Sequence, residues 1–373
     1  MTIKLSIIIP LYNVEELIER AAKSIVSQTF SEDAAIYCER ETTSKAQSKL
    51  RNPNRSGKMH FFPTRSIEVI VVDDGSTDSS LEVCLYNLEP LRTKGINIIS
   101  ISQANKGLSA ARNAGIHAAT GDYILFLDAD DFLLPNALTN VIESLNAARC
   151  DVLFGRYLVW NPKKGFRPLK QYDYNPPYSS DKTNTTDYSL MDYILTKLPE
   201  SSWNVWRYIC KREFIITNDL FFEEGMLCED VSWTINMLDK ATAVHFMPEP
   251  FYAYYHRRPG SIMNSTTVKR ITDLNTIILR FLHKFRHAPE RSALYKTLAN
   301  ESFVYIYEYC LFAKADRKVL FDSYMLLLPM FSHSQSRIHR IAAMFKHPVM
   351  LFWLSVCMMC AVKLRRLIKE RML

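Results

Sequence analysis

Residues 123–131 read YILFLDADD, an apolar run followed at once by three carboxylates, Asp128, Asp130 and Asp131. The apolar run predicts a buried strand. Carboxylates crowded at a strand end repel one another unless a cation or strong hydrogen-bond donors offset their charge. A single Asp here would more often belong to a turn or a helix N-cap. Three together predict a positively charged partner.

The first 155 residues around this stretch alternate short apolar runs with amphipathic stretches, which is typical of βαβ units and a largely parallel sheet. Strands are predicted at residues 4–9, 67–72, 96–101, 123–127 and 152–154. Helices are predicted at residues 15–28, 79–88, 107–120 and 135–147. In open sheets of this kind, ligands bind outside the carboxyl ends of the strands.

The composition is that of a folded protein, with 48% hydrophobic and 23% charged residues in a chain of 373. The net charge of +7 is concentrated at the end of the chain: eight basic residues and one acid follow residue 332, and the remainder is neutral. A nucleic-acid-binding fold would spread its basic residues over a surface, so we expect no nucleic-acid partner. The tail predicts a local electrostatic contact instead.

Cysteine usage and the N-terminus favour a reducing, cytoplasmic location. The eight cysteines form no disulfide-like framework, and the pair Cys357 and Cys360 lies inside an apolar run, where helix packing is the favoured interpretation over metal binding. The opening MTIKLSIIIP is strand-like and lacks a signal-peptide cleavage site.

Two segments depart from the βαβ rhythm. Residues 31–65 are polar and aperiodic where a few residues usually suffice, which predicts an inserted, partly disordered excursion. Residues 349–362 are uncharged and flanked by basic residues. As a helix this run would span about 21 Å, short of the ~30 Å hydrocarbon core. A helix in the membrane interface, or a re-entrant one, is expected, with packing on the body or on another subunit as the alternative.

The ordered set SIIIPLYNVEE (6–16), SQTF (27–30), IEVIVVDDGSTDSS (67–80), NKGLSAARNAGIHAATGDYILFLDADD (105–131) and MLCEDVSW (226–233) resembles the family 2 glycosyltransferases of bacterial polysaccharide synthesis. The resemblance implies a GT-A fold: α/β, Rossmann-like, with a mostly parallel sheet flanked by helices. The expected organisation is a catalytic domain at 1–262, a helical extension at 263–332 and a membrane-associating amphipathic, basic tail at 333–373.

For the nucleotide-sugar donor, the resemblance implies that Pro10 and Tyr12 pack against the base. It also implies that Asp74 accepts from a uracil N–H while Asp73 supports the turn. A core aromatic is the alternative for Tyr12. Gly75 would permit a tight turn after the two carboxylates.

The segment NKGLSAARN borders the nucleotide in the family, so Arg112 is expected to reach the ribose or phosphates. Lys106 is expected on the donor side, with a solvated helix face as the alternative. Downstream, YYHRRPGSIMN offers a basic loop that could close over the diphosphate, with Arg258 as the donor contact. His256 is either part of that loop or a third metal ligand.

Asp128 and Asp130 form a DxD motif, whose oxygen ligands suit Mg²⁺ or Mn²⁺ bridged to the diphosphate. By resemblance, Asp130 is expected to bind the metal directly, and Asp128 is expected to contact the ribose or to support the metal from behind its direct ligands. Asp128 is also kept as a candidate metal ligand. Asp131 is expected to cap the following helix.

Glu229 and Asp230 resemble the family's ED motif, in which the aspartate takes the acceptor's proton. Asp230 is therefore the candidate base, and Glu229 is expected to orient the acceptor. Helix N-terminal carboxylates held by the dipole are the alternative. Trp203, Asn204 and Trp206 are candidates for an acceptor platform, with core packing equally favoured for the two tryptophans.

The motifs, the resemblance and the basic tail together predict an inverting glycosyltransferase, peripheral at the inner membrane face. It is expected to move a sugar from a UDP-sugar to a hydroxyl of a lipid-linked glycan. Two alternatives stay open. One is transfer to a polyprenyl phosphate, which needs no strong base. The other is a nucleotide-sugar-binding assembly subunit without catalysis.

Overall fold

The computed structural model describes residues 3–28, 66–167, 203–255 and 267–284. The chain divides into two compact units, one of residues 1–184 and 203–258 and the other of residues 185–202 and 259–373. The predicted excursion at 31–65, residues 256–264 of the basic loop and the tail all lie outside the described residues.

The strands belong to the first unit. They are β1 (Leu5–Leu11), β2 (Ile67–Asp73), β3 (Asn97–Ser102), β4 (Tyr123–Phe126), β5 (Phe132–Leu133), β6 (Val152–Asn161), β7 (Gly165–Arg167), β8 (Tyr208–Lys211) and β9 (Val244–Tyr255). The α-helices within the described residues of this unit are α1 (Glu15–Val26), α2 (Ser80–Thr93), α3 (Leu108–Ala118), α4 (Ala137–Ala148), α5 (Arg212–Thr217) and α6 (Glu229–Lys240). The strands and helices predicted up to residue 154 are therefore present. Most ends are shifted by one to three residues, but α2 ends five residues and β6 seven residues later than predicted.

The strands form one sheet in the order β3-β2-β1-β4-β8-β6-β9-β5, with β7 paired to β6. A mostly parallel sheet was expected, but the sheet is mixed. β8 runs antiparallel to β4 and β6, and both β6–β7 and β5–β9 are antiparallel pairs. Two consecutive strands can pair in parallel only if a crossover connection joins them. A short turn joins β6 and β7, so these two strands pair antiparallel.

The parallel half of the sheet positions the candidate site. Every residue of β1 and β2 is buried, as expected of strands covered by helices on both faces. In the parallel register Leu11 lies beside Asp73, and Ile8 lies beside Phe126. The polar residues that follow β1, β2 and β4 therefore leave the sheet at one edge.

The second unit is described only by the helix α7 (Val268–Lys284). Its buried side chains recur at three- and four-residue spacing, at Ile271, Leu274, Ile277, Ile278 and Phe281. This confirms the predicted helical character of the chain after residue 267 for these residues. Among the described residues, no helix is long and apolar enough to cross a bilayer.

Candidate active site

The turns after β1 and β2 are tied to each other. The Asn13 N–H donates to Ser76 Oγ over 3.2 Å, and the Thr77 N–H donates to Asn13 Oδ1 over 2.8 Å. Asp73 Oδ1 accepts from the Ser76 N–H at 3.0 Å, inside the turn that it was expected to support. Gly75 lies in this turn with φ +77°, and a Cβ there would come within 2.9 Å of the Asn105 backbone nitrogen. A side chain at residue 75 would therefore disrupt the turn.

Asp74 organises the loop that leads into α3. Its carboxylate is buried and accepts from Gln103 Nε2 at 2.7 Å and from the backbone N–H groups of Lys106 and Gly107 at 3.0 and 2.7 Å. A carboxylate has about four acceptor positions, so three protein donors leave one. The expected contact between Asp74 and a base N–H stays a prediction.

Two further donor-side candidates flank this loop. Tyr12 is 45% exposed at the carboxyl end of β1, so the alternative of a core aromatic is wrong. Pro10 is buried within β1 beside Val72. Lys106 precedes α3, whose N-cap is Gly107, and its side chain is exposed.

The three aspartates of the opening motif have three different partners, which they contact through carboxylate or backbone oxygens. Asp128 Oδ1 is 3.1 Å from Arg112 Nη2. Asp130 is half-buried, and its carbonyl accepts from Arg20 Nη2 at 2.9 Å. Asp131 is buried and faces β9. The positive charge predicted beside the cluster is present. It is supplied by two arginines, Arg112 on α3 and Arg20 on α1.

Asp131 was expected to cap the following helix, but it does not. Its Oδ2 accepts from the Tyr252 hydroxyl at 2.8 Å and its Oδ1 from the Tyr255 N–H at 2.7 Å. Burial, together with the charges of Asp130 and Asp128, raises the pKa of Asp131 well above its ordinary value. The short strand β5 follows Asp131 directly, and α4 begins after Asn136. Asp131 therefore anchors the motif to β9.

Arg20, on α1, was not singled out from the sequence. Its guanidinium carbon lies 4.2 Å from the ring centroid of Trp160, 5.2 Å from that of Phe132 and 5.3 Å from that of Tyr255. Such cation–π contacts stabilise a cation away from water. Together with its bond to the Asp130 carbonyl, this cage fixes the backbone of the DxD motif.

Arg112 joins the DxD motif to the ED motif. The residue is 3% exposed, and its Nη1 lies 2.9 Å from Glu229 Oε1 while Nη2 binds Asp128. Burial opposes the charge of Arg112, but the nearby carboxylates outweigh it, and its pKa lies above the ordinary value. A ribose or phosphate contact was expected of Arg112; that contact stays a prediction.

The ED motif begins α6. Glu229 and Asp230 are its first two residues, where the helix dipole stabilises negative charge. The Val231 N–H lies 2.9 Å from Asp230 Oδ1. The charge of Asp230 contributes to the raised pKa of Arg112, so the candidate base shares the electrostatic environment of the DxD motif.

Trp203 and Trp206 are both buried, so the packed alternative applies and neither is an open acceptor platform. The Trp206 ring stacks on Tyr252 with centroids 4.2 Å apart and planes 1° from parallel. Since the Tyr252 hydroxyl also accepts from the Asp128 N–H at 3.1 Å, Trp206 supports the DxD motif from behind. Asn204 is half-buried and precedes a 3₁₀ turn at Val205–Arg207.

The residues of the DxD motif fit a divalent metal held jointly with a ligand. Within the described ranges, no three His, Cys, Asp or Glu side chains are grouped to hold a metal by themselves. Mg²⁺ is commonly held by one or two carboxylates together with substrate phosphates. Asp130 is half-buried, and 25% of the Asp128 side chain is exposed. These two carboxylates therefore match a metal that is held together with substrate phosphates. His256 and Arg258 lie outside the described residues.

Residues 50–197 match the family model described as Glycosyl transferase family 2. This stretch of the chain is therefore similar to family 2 glycosyltransferase domains. The chain is 26% identical over 278 residues to the uncharacterized glycosyltransferase YibD of Escherichia coli K12. The aligned residues are 72% of this chain and 64% of YibD. It is 28% identical over 259 residues to the uncharacterized glycosyltransferase EpsJ of Bacillus subtilis 168, covering 69% of this chain and 62% of EpsJ. The chain thus spans less than two thirds of these relatives.

Solved structures of Staphylococcus aureus TarS share the fold of this chain. TarS residues 1–349 in complex with UDP-GlcNAc superpose with a TM-score of 0.62 at 20% sequence identity, covering 88% of this chain and 81% of that chain. The same TarS fragment with UDP gives a TM-score of 0.62 at 19% identity, covering 95% of this chain and 88% of that chain. The likeness establishes a GT-A-like α/β fold, a mixed sheet flanked by helices.

Proposed function

We propose that this chain is an inverting glycosyltransferase that moves a sugar from a UDP-sugar to a hydroxyl of a growing, lipid-linked glycan. One observation carries the proposal. Arg112 brings Glu229, which is adjacent to Asp230, to the carboxylate of Asp128 at the edge where β1, β2 and β4 end. A donor-binding edge and a candidate base are thereby adjacent, as transfer requires.

The donor side is supported by the arrangement of the strand ends. Tyr12 offers an exposed ring to a base, and Asp74 retains an acceptor position in a pre-formed loop. TarS, which shares the fold, was solved with UDP-GlcNAc and with UDP. These observations favour a uridine nucleotide without naming the sugar.

The metal would be held by Asp130, with Asp128 and His256 as further candidate ligands. When bound, Mn²⁺ or Mg²⁺ supplies positive charge for the leaving diphosphate. The remaining chemistry falls to the side chains. The acceptor oxygen bonds to the anomeric carbon as the bond to the diphosphate oxygen breaks, and Asp230 takes the hydroxyl proton. The nucleoside diphosphate leaves with the bonding electron pair.

Replacement of Asp230 by Asn tests the transfer step. General-base catalysis contributes about 10²–10⁴-fold, so D230N is expected to lose at least about 100-fold in transfer rate. UDP affinity, measured by calorimetry, should stay within about threefold of wild type because the amide keeps the shape of the side chain. Retained transfer would contradict the proposal and favour a phosphate acceptor, which is already ionised.

The membrane part of the proposal rests on the basic tail at 333–373. Basic residues near an anionic surface contribute about 1 kcal/mol each. Deleting residues 337–373 is therefore expected to move the protein from the membrane to the soluble fraction of lysed cells. Unchanged fractionation would contradict a membrane-associating tail while leaving the chemistry unaffected.

A further inference from the structure

The helix α3 holds the ED motif through two consecutive residues. Arg112 binds Glu229, and Asn113 forms two 2.8 Å hydrogen bonds with the backbone of Phe222, donating through Nδ2 to the carbonyl and accepting at Oδ1 from the N–H. His117, one turn further along α3, stacks on Phe221 with centroids 4.8 Å apart. Both ends of the segment 222–229 are therefore fixed to α3.

The Arg112 guanidinium is placed to align two carboxylates. Its Nη1 and Nη2 are used by Glu229 and Asp128 at 2.9 and 3.1 Å, and its carbon lies 5.2 Å from the ring centroid of Phe222. Nε is buried and has no partner within the described ranges. Because that atom is shielded from solvent, a ligand would reach it only if neighbouring side chains moved.

Unlike an ammonium group, a planar guanidinium fixes the directions of the hydrogen bonds that it donates. Its N–H groups form a rigid fork, so two carboxylates bound to it keep a set separation and angle. Removing one partner from a buried ion pair leaves an uncompensated charge, which is unfavourable. Glu229 and Asp128, which are far apart in sequence, are therefore held in register by one side chain.

We propose that Arg112 is a positioning residue rather than a donor ligand: it holds Glu229, and with it the first turn of α6 that carries Asp230, against the donor-side Asp128. The inference rests on the proposed function, since it concerns how the same site is aligned. It predicts that Arg112 acts on transfer through Glu229. Loss of either residue should then have the same effect as loss of both.

Three variants test this: Arg112→Lys, Glu229→Gln and the double variant. Lys keeps a positive charge beside Asp128 but cannot span both carboxylates. Each single variant is expected to lower kcat by at least about 30-fold and to keep UDP affinity within about threefold of wild type. The double variant should be no slower than the slower single variant, because the effects of coupled residues are non-additive. Glu224→Gln, an exposed carboxylate on the same segment, is the matched control and should keep wild-type kcat.

Two results would overturn the proposal. A fall in UDP affinity of more than about tenfold with unchanged kcat in Arg112→Lys would make Arg112 a donor ligand. Multiplied losses in the double variant would show that the two residues act independently. If Arg112→Lys does not fold, Glu229→Asp replaces it: the shortened carboxylate keeps its charge but not its 2.9 Å contact, and its kcat must fall as in Glu229→Gln. A wild-type protein that neither binds UDP nor transfers sugar would instead reject the proposed function.

Discussion

Replacing Glu68 with Gln should destabilise the folded protein at neutral pH, and acid should reduce the difference. The Glu68 side chain is fully buried at the amino end of β2. It accepts from Ser6 Oγ at 2.6 Å, from the N–H and Oγ1 of Thr120 at 2.6 and 2.7 Å and from the Gly121 N–H at 3.1 Å, and it pairs with Lys4 Nζ at 2.8 Å. An amide cannot accept at both ends, so Gln leaves buried donors unpaired.

The magnitude follows from the pKa. Burial would raise the pKa of Glu68, but the bonds from Lys4, Ser6 and Thr120 outweigh it and lower the pKa from 4.5 to about 2. At about 1.4 kcal/mol per pKa unit, the ionised carboxylate stabilises the fold by about 3 kcal/mol. A third of the Lys4 side chain is exposed, and solvent screens its share, so we expect about 2–3 kcal/mol.

The sign of the pH dependence is fixed by the lowered pKa. The contribution is complete above the unfolded value of 4.5 and is lost as the pH falls towards about 2. Urea unfolding of wild type and Glu68→Gln at about pH 7 and about pH 3 measures the difference, in which other titrating groups cancel. The gap should shrink by roughly half or more between these conditions. A gap that is absent at neutral pH, or that widens in acid, would refute the reasoning.

Two further replacements probe the site and the core. Tyr12→Ala should weaken UDP binding by about tenfold without lowering the melting temperature, since ring-to-base stacking contributes about 1–3 kcal/mol. Tyr86→Ala is the control, because the Tyr86 ring on α2 is 81% exposed. Equal UDP affinities of the two variants would show that Tyr12 does not contact the base. Gly155→Ala should cost about 1–3 kcal/mol, because its Cβ would lie 2.2 Å from Cε1 of the buried Phe251. An unchanged thermal melt would mean that β6 and β9 pack more loosely than this contact requires.

The parallel half of the fold was predictable because each strand is a continuous apolar run followed by polar residues. The antiparallel half was not. β9 reads VHFMPEPFYAYY, and two prolines disguise a strand, since proline lacks the N–H that strand pairing uses. β8 has four residues, too few for a periodic signal. The register between β6 and β9 also shifts near Arg156, which no sequence pattern marks.

The candidate site was predictable as a set of motifs but not as a set of contacts. Crowding of Asp128, Asp130 and Asp131 suggested one shared cation, and only the family resemblance assigned them different roles. Tertiary structure gives each a separate partner, and Asp131 turns towards β9. The pairing of Arg112 with Glu229 spans 117 residues, so local spacing contains no sign of it.

The most direct test of the central claim, that the edge formed by β1, β2 and β4 is a nucleotide-sugar site, is a donor screen. Release of UDP, GDP or dTDP from the corresponding sugar nucleotides would be measured with and without Mn²⁺, for wild type and Asp130→Asn. We expect Mn²⁺-dependent release of UDP from at least one UDP-sugar, and loss of that release in Asp130→Asn. Release that needs no metal and survives Asp130→Asn for every donor would contradict the claim.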